Sequence, residues 1–503
     1  MSVHEHTLPA ALDAAARRFG EREAVVDGPV RWSFRQLRER ARAFAALLVE
    51  RGVEPGERVA IWAPNTCHWI QAAYGALYAG CALVPLNTRF TAEEAADVLR
   101  RSRTRALVVA GPFLGRDRRA ELDRAALPEL HTVVQVPGEL AGGVPAPELD
   151  ARAAAVRPGD VADILFTSGT TGRSKGAMST HRQALSVAWA WGERVGLTAD
   201  DRYLVVNPFF HSFGYKAGLL AALLRGVPVL PQAVFDVEQT LSLVAAERVT
   251  VLPGAPTIYQ TMLDHPGRDA HDLSSLRLAV TGAAPVPVTL VERMRRELTF
   301  EHVLTAYGLT EAVVATLCAP GDDPDTVATT SGRAAAGFEI AIVGEDGSHC
   351  PPGEPGEVLL RGPNVMLGYL DDPEATAQAI DADGWLHTGD VGTLNERGYL
   401  TLTGRLKEMY ICGGFNVYPA EVEQVLARLP GVVEAAVVGV PDPRLGEVGK
   451  AYLVGSVQEE QVIEHCRRHL ANYKVPRHVE VVTELPRNAG GKVVKRLLGG
   501  SRG

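Results

Sequence analysis

Asp163-Ile164-Leu165-Phe166-Thr167-Ser168-Gly169-Thr170-Thr171-Gly172-Arg173-Ser174-Lys175-Gly176 begins as an apolar run and turns into a loop built almost wholly from Gly, Ser and Thr, closed by a lysine. A short apolar run ended by turn residues reads as a buried strand. Glycines let the backbone approach an anion closely, and successive amides form a concave nest. With the hydroxyls of Thr167, Ser168, Thr170 and Thr171 and the ammonium of Lys175, the loop suits a polyphosphate. The Walker pattern is absent, because Ser174 rather than glycine directly precedes Lys175 and Gly176 rather than Ser or Thr directly follows it. A flexible surface loop has the same composition. The strand in front, the closing lysine and the partners downstream weigh against that reading.

Working outward, 503 residues exceed what one core holds, so two or more domains are expected. A formal net charge of -9 argues against a general nucleic-acid binder. The N-terminus lacks a basic region followed by an apolar stretch, and no apolar run is long and charge-free enough to span a bilayer. The six cysteines are scattered without a C-x-x-C pair, which reads as reduced thiols in a cytoplasmic protein and gives no zinc-ligand spacing.

Strand 58–62, a helix ending near Gly80 and strand 82–86 make a strand–helix–strand unit, the mark of a parallel sheet. Helix 92–101 and strand 106–110 make another, and 134–157 reads as irregular. Helix 181–195, strand 201–208 and further alternation to about 297 repeat the pattern. From Gly332 to Leu402 short strands with Gly and Pro turns take over. The predicted fold class is therefore α/β: two doubly wound α/β lobes plus a small β-structure in residues 1–405, and a small α+β domain in residues 406–503.

Three further stretches carry chemistry. In Thr305-Ala306-Tyr307-Gly308-Leu309-Thr310-Glu311 a strand end meets a glycine turn, a hydroxyl and a carboxylate. Such a pair can hold a phosphate oxygen and Mg²⁺ together, and it equally suits a helix N-terminus capped by Thr310. In Trp385-Leu386-His387-Thr388-Gly389-Asp390 a carboxylate at a strand end can accept both ribose hydroxyls, or simply close a turn. In Asn488-Ala489-Gly490-Gly491-Lys492 a lysine on a glycine pair is either a mobile catalytic cation or part of a solvated tail.

In this order the motifs resemble the adenylate-forming (ANL) enzymes, which include acyl-CoA synthetases, peptide-synthetase adenylation domains and beetle luciferases. The resemblance covers nearly the whole chain and is sharpest at Thr167–Gly176, Tyr307–Glu311, Trp385–Asp390, Gly404–Arg405, Gly413–Glu421 and Gly491–Lys492. Within the superfamily the chain is most similar to the FadD-type acyl-CoA synthetases. At Asn207–Gly218 and Leu406–Leu429 it resembles actinobacterial ligases of steroid-ring (indanedione propionate) degradation.

The resemblance implies an ATP-dependent ligase that makes an acyl-adenylate and passes the acyl group to coenzyme A, with small-molecule carboxylic acid, ATP, Mg²⁺ and coenzyme A as partners. It implies that Thr167, Ser168, Gly169, Thr170, Thr171, Gly172 and Lys175 hold the outer phosphates. Tyr307 and Gly308 would lie against the adenine, with Gly282, Ala283 and Ala284 opposite. Thr310 would touch the α-phosphate, Glu311 bind Mg²⁺, and Asp390 and Arg405 hold the ribose. Lys492 would bridge the α-phosphate and the acyl oxygen. Lys407 would be the hinge of a mobile C-terminal domain, and Gly413 and Gly414 would wall the pantetheine tunnel. His211 would line the acyl pocket, with Trp189, Phe213, Gly282 and Val313 around it. Ser174 departs from the proline usual before the loop lysine.

Amino-acid adenylation is the nearest rival. There an aspartate pairs the substrate amine, whereas Phe213-Gly214-Tyr215-Lys216 offers a cation, suited to a second acid or a carbonyl on the substrate. Aryl carboxylates, loading of a carrier protein, luciferase-type oxygenation and a non-catalytic nucleotide-binding module are the other readings. A homodimer is the candidate assembly, which the sequence itself does not decide.

Overall fold

The structure is a computed structural model that describes residues 6–138, 140–144, 146–167, 174–282, 286–412, 415–470, 472–487 and 493–498, the side chains of Arg124, Lys407, Phe415 and Asn416 excepted. Helices start where the sequence supplies caps. Ser33 with Gln36, Thr91 with Glu94 and Thr180 with Gln183 form reciprocal capping boxes at the helices Phe34–Glu50, Ala92–Arg101 and His181–Arg194.

The first lobe is a seven-stranded sheet in the order Gly368–Tyr369, Lys175–Thr180, Val161–Thr167, Ala82–Pro85, Arg58–Trp62, Thr104–Ala110, Thr132–Val136. From Val161–Thr167 outward to Thr132–Val136 the strands are parallel. Lys175–Thr180 returns antiparallel to Val161–Thr167, and Gly368–Tyr369 is antiparallel to it in turn. The Gly/Ser/Thr stretch thus joins two paired strands at the carboxyl end of a parallel sheet strand, where open α/β sheets bind ligands.

The second lobe combines two four-stranded runs, one containing Tyr203–Val205 and Val229–Pro231, the other Leu278–Gly282 and His302–Tyr307. Val251 bridges Tyr203 and Leu278, which makes the two runs continuous. One large apolar core fills the space between the lobes, with Trp69, Tyr74, Phe209 and Tyr215 buried in it. An antiparallel sheet follows: Glu339–Val343, Gly356–Arg361, Leu386–Leu394, Leu400–Arg405.

From Tyr410 onward a separate sheet, carrying Val432–Asp442 and Gly446–Gly455, packs with the helices Pro419–Leu426 and Glu459–His469 around its own core. Two doubly wound lobes, a small β-structure and a small α+β unit are the architecture expected. Two elements differ from expectation, and one stretch for which no element was expected forms a helix. The stretch 134–157 holds the end of a strand, Thr132–Val136, and a helix, Ala146–Ala155. The strand at 201–208 is only Tyr203–Val205. Phe213–Leu220 forms a π-helix.

Candidate active site

The hairpin Val161–Thr167/Lys175–Thr180 brings Thr167 opposite Lys175, and Thr167 Oγ1 lies 3.4 Å from the Lys175 carbonyl. Lys175 Nζ stands 5.0 Å from the centre of the Tyr369 ring, a cation–π contact. The Tyr369 hydroxyl donates to Glu311 Oε1 at 2.8 Å. Burial, then the Glu311 carboxylate, pushes the Tyr369 phenol far up, so it stays a donor. The segment 366–370 is stitched to both sides: the Met366 N–H donates to Glu311 O, the Leu367 N–H to Met178 O and the Leu370 N–H to Gly176 O. The loop lysine and the carboxylate expected to bind Mg²⁺ are therefore brought together, through a tyrosine that sequence reasoning missed.

The strand His302–Tyr307 ends beside Leu278–Gly282, with Ala306 paired to Gly282. A Cβ on Gly308 would collide with the Val313 carbonyl, so the chain turns there at a separation open to glycine. The partly buried Thr310 follows on this turn, and Val313 takes a left-handed φ of 65°. Tyr307 is buried, and its hydroxyl donates to Asp390 Oδ2 at 2.6 Å. Asp390 Oδ1 is paired with Arg405 Nε at 2.7 Å, across the ladder of the antiparallel sheet. Burial and Asp390 hold the Tyr307 phenol well above the usual tyrosine range. Tyr307, Asp390 and Arg405, separate in sequence, form one connected group.

His211 keeps accessible surface, yet desolvation by the surrounding protein lowers its pKa. Its Nδ1 accepts from the Phe213 N–H at 3.2 Å, so the neutral ring carries its proton on Nε2. Phe213 meets Trp191 edge-on at 5.1 Å. Trp189 instead faces outward under the Arg225 guanidinium.

Lys216 departs from expectation. It is fully buried, with Nζ 2.8 Å from Asp163 Oδ1 and 2.7 Å from Ser179 Oγ, so it is not open to a substrate group. Burial pushes the Asp163 carboxyl up against the pull of Lys216. Sequence reasoning missed this partnership, for which an aspartate inside an apolar strand was the signal.

Lys407 lies in the single 3₁₀ turn Leu406–Glu408. Ser168, Gly169, Thr170, Thr171, Gly172, Ala283, Ala284, Gly413, Gly414 and Lys492 lie outside the described residues. Among the described residues no three His, Cys, Asp or Glu side chains converge as a metal site, and no helix is long and apolar enough to cross a membrane.

The profile of the AMP-binding enzyme family matches residues 12–370, and that of the AMP-binding enzyme C-terminal domain matches residues 421–492. A 3-[(3aS,4S,7aS)-7a-methyl-1,5-dioxo-octahydro-1H-inden-4-yl]propanoyl:CoA ligase of Rhodococcus jostii (strain RHA1) is 58% identical over 520 aligned positions, covering 99% of each chain. A ligase of the same name from Mycobacterium tuberculosis is 57% identical, covering 98% of each. The crystal structure of the anthranilate CoA ligase AuaEII in complex with anthranoyl-AMP superposes with a TM-score of 0.89 at 28% identity, covering 99% of this chain and 98% of that one. The chain belongs to the AMP-binding enzyme family and, within it, to the AMP-forming acyl-CoA ligases.

Proposed function

We propose that this ligase activates the propanoate side chain of a bicyclic dione of steroid origin, the acid named in the two relatives described above. The observation that carries this reading is 57–58% identity over almost the full length of both. The reaction class then sets the steps. A carboxylate oxygen bonds to the α-phosphorus of ATP as the bond to pyrophosphate breaks. The coenzyme A sulfur next bonds to the acyl carbon as the bond to AMP breaks.

In this reading Lys175 and the loop from Thr167 to Gly172 take the outer phosphates. Asp390 holds the ribose hydroxyls, with Arg405 and Tyr307 fixing the orientation of its carboxylate. Gly282, Ala283 and Ala284 face Tyr307 and Gly308 across the adenine. Thr310 donates to the α-phosphate. Lys492 neutralises charge building on the α-phosphoryl oxygens, where a preorganised cation lowers the barrier. His211 lines the acyl recess as a neutral ring. Residues 1–405 form the adenylation domain, and 406–503 turn about Lys407 to present Gly413 and Gly414 to pantetheine.

Glu311 Oε1 accepts a hydrogen bond from the Tyr369 hydroxyl. It retains lone pairs for a hard cation, and Mg²⁺ takes one or two carboxylates with substrate phosphates, so the donor set fits. Bound there, Mg²⁺ would offset phosphate charge. A cytoplasmic location fits six free cysteines. The homodimer is tested by sedimentation of the purified chain.

The test is ATP-dependent pyrophosphate release with the bicyclic dione propanoate, a long-chain fatty acid and an aryl acid, with and without coenzyme A. Release and acyl-CoA formation fastest with the dione support the proposal. Preference for either other acid removes the substrate. Acyl-adenylate that coenzyme A does not consume points to a carrier protein as acceptor.

A further inference from the structure

The π-helix Phe213–Leu220 runs from beside His211, the residue placed at the acyl recess in the reading above, to the hairpin that leads into the phosphate loop. π-Helical geometry is rare and recurs at functional sites. The first turn is drawn tight against the preceding loop, where a Cβ on Gly214 would collide with the carbonyls of Asn207 and Pro208. The helix starts two residues after His211, and its Phe213 packs on Trp191. From its interior Lys216 reaches Asp163 and Ser179.

Asp163 and Ser179 are cross-strand partners in the hairpin that carries the phosphate loop. Opposed residues of an antiparallel pair share a face, as do alternate residues along each strand. Asp163, Leu165 and Thr167 therefore lie on one face with Ser179, Ala177 and Lys175. Lys216 grips that face about 13 Å, four strand residues, from the Thr167–Lys175 pair at the loop's mouth. An ion pair this deep adds little stability over an apolar pair of equal volume. It does demand one relative placement of helix and hairpin.

We propose that Lys216 and Asp163 are positioning residues that couple the acyl recess to the phosphate loop, so that acid and ATP strengthen each other's binding. Lys216 is fully buried and acts through the helix and hairpin it joins. The proposal rests on the ligase reading above.

The test is calorimetric binding of α,β-methylene-ATP with and without saturating bicyclic dione propanoate. The wild type is compared with the paired variant Asp163→Val/Lys216→Met, which removes both charges together and leaves neither stranded. The wild type is expected to bind the analogue about 5-fold or more tighter with acid present, and the paired variant to lose that factor to within about 2-fold of none. A folded variant with the full factor, or a wild type with none, overturns the coupling. A second measurement needs no variant: acid alone should slow amide hydrogen exchange in 175–180, and unchanged exchange overturns it too. A wild type in which the bicyclic dione propanoate drives no pyrophosphate release fails at the ligase reading instead, which separates the two failures.

Discussion

Tyr307 and Asp390, 83 positions apart, are joined by a 2.6 Å hydrogen bond that fastens the end of a second-lobe strand to the antiparallel sheet. Asp390 is only 4% exposed and has Arg405 as its other partner. The phenol, held protonated by burial and by Asp390 itself, orients the carboxylate without taking its charge. Tyr307→Phe removes one charge-assisted hydrogen bond, and KM for ATP should rise roughly tenfold, about 1.4 kcal/mol. KM for the acid should stay put. Pyrophosphate release against ATP concentration checks both, and an unchanged KM for ATP would separate Asp390 from nucleotide binding.

Lys492→Ala should slow acyl-adenylate formation by about a hundredfold to a thousandfold, the usual cost of one preorganised donor at developing charge. Coenzyme A transfer from preformed acyl-adenylate should change far less. Single-turnover measurement of each half-reaction decides the assignment, and equal slowing of both contradicts it.

His181 predicts an acid-side weakness. It starts the helix His181–Arg194, is 2% exposed, and accepts the Leu8 N–H on Nδ1 at 3.2 Å. Burial lowers its pKa from 6.5 to about 4. Above the unfolded value both states are neutral, and its contribution is fully present. As pH falls from 6.5 to about 4, the unfolded chain takes up a proton that the folded chain refuses, and about 3 kcal/mol is lost. Thermal midpoints across that window should fall less steeply for His181→Asn, which keeps an acceptor and cannot titrate. Parallel curves would clear His181 of the effect.

Lys495 lies just past the stretch that carries Lys492. Its Nζ is 2.7 Å from Glu408 and 2.8 Å from Glu423, a nearly buried carboxylate that also accepts the Val437 N–H. Lys495→Met withdraws the cation that both share, at about 3 kcal/mol for a pair this enclosed. Hydrogen exchange in the helix Pro419–Leu426 should quicken. Glu423→Gln added to Lys495→Met should restore part of the protection, and no restoration would mean that the lysine's packing matters more than its charge.

What was legible in the sequence was what short-range pattern encodes. The apolar run at 58–62, the strand read from Asp163 into the loop and the helix 92–101 are present, and the Tyr307–Glu311 and Trp385–Asp390 motifs supplied residues that meet in space. Gly138, Gly142 and Gly143 made 134–157 look broken, yet a helix forms from Ala146 onward. The π-helix announces no sequence period that separates it from loop or α-helix. Lys216 was misread because charge says nothing of depth, and only tertiary pairing with Asp163 reveals it as internal. Tyr369 escaped because a two-residue strand has no periodicity at all.

That two-residue strand, Gly368–Tyr369, lies in a strip with the Glu311 backbone bonded at one end and the hairpin along its edge. Side chains alternate faces with a period of two. One residue gained or lost between Met366 and Tyr369 would turn Tyr369 to the opposite face, parting its ring from Lys175 and its hydroxyl from Glu311. The strip thus works as a ruler between the phosphate loop and the carboxylate. Its side chains can drift wherever they do not touch those two groups, but its length cannot, and a ligase of this build is freer to exchange the walls around its acid than to add a residue here.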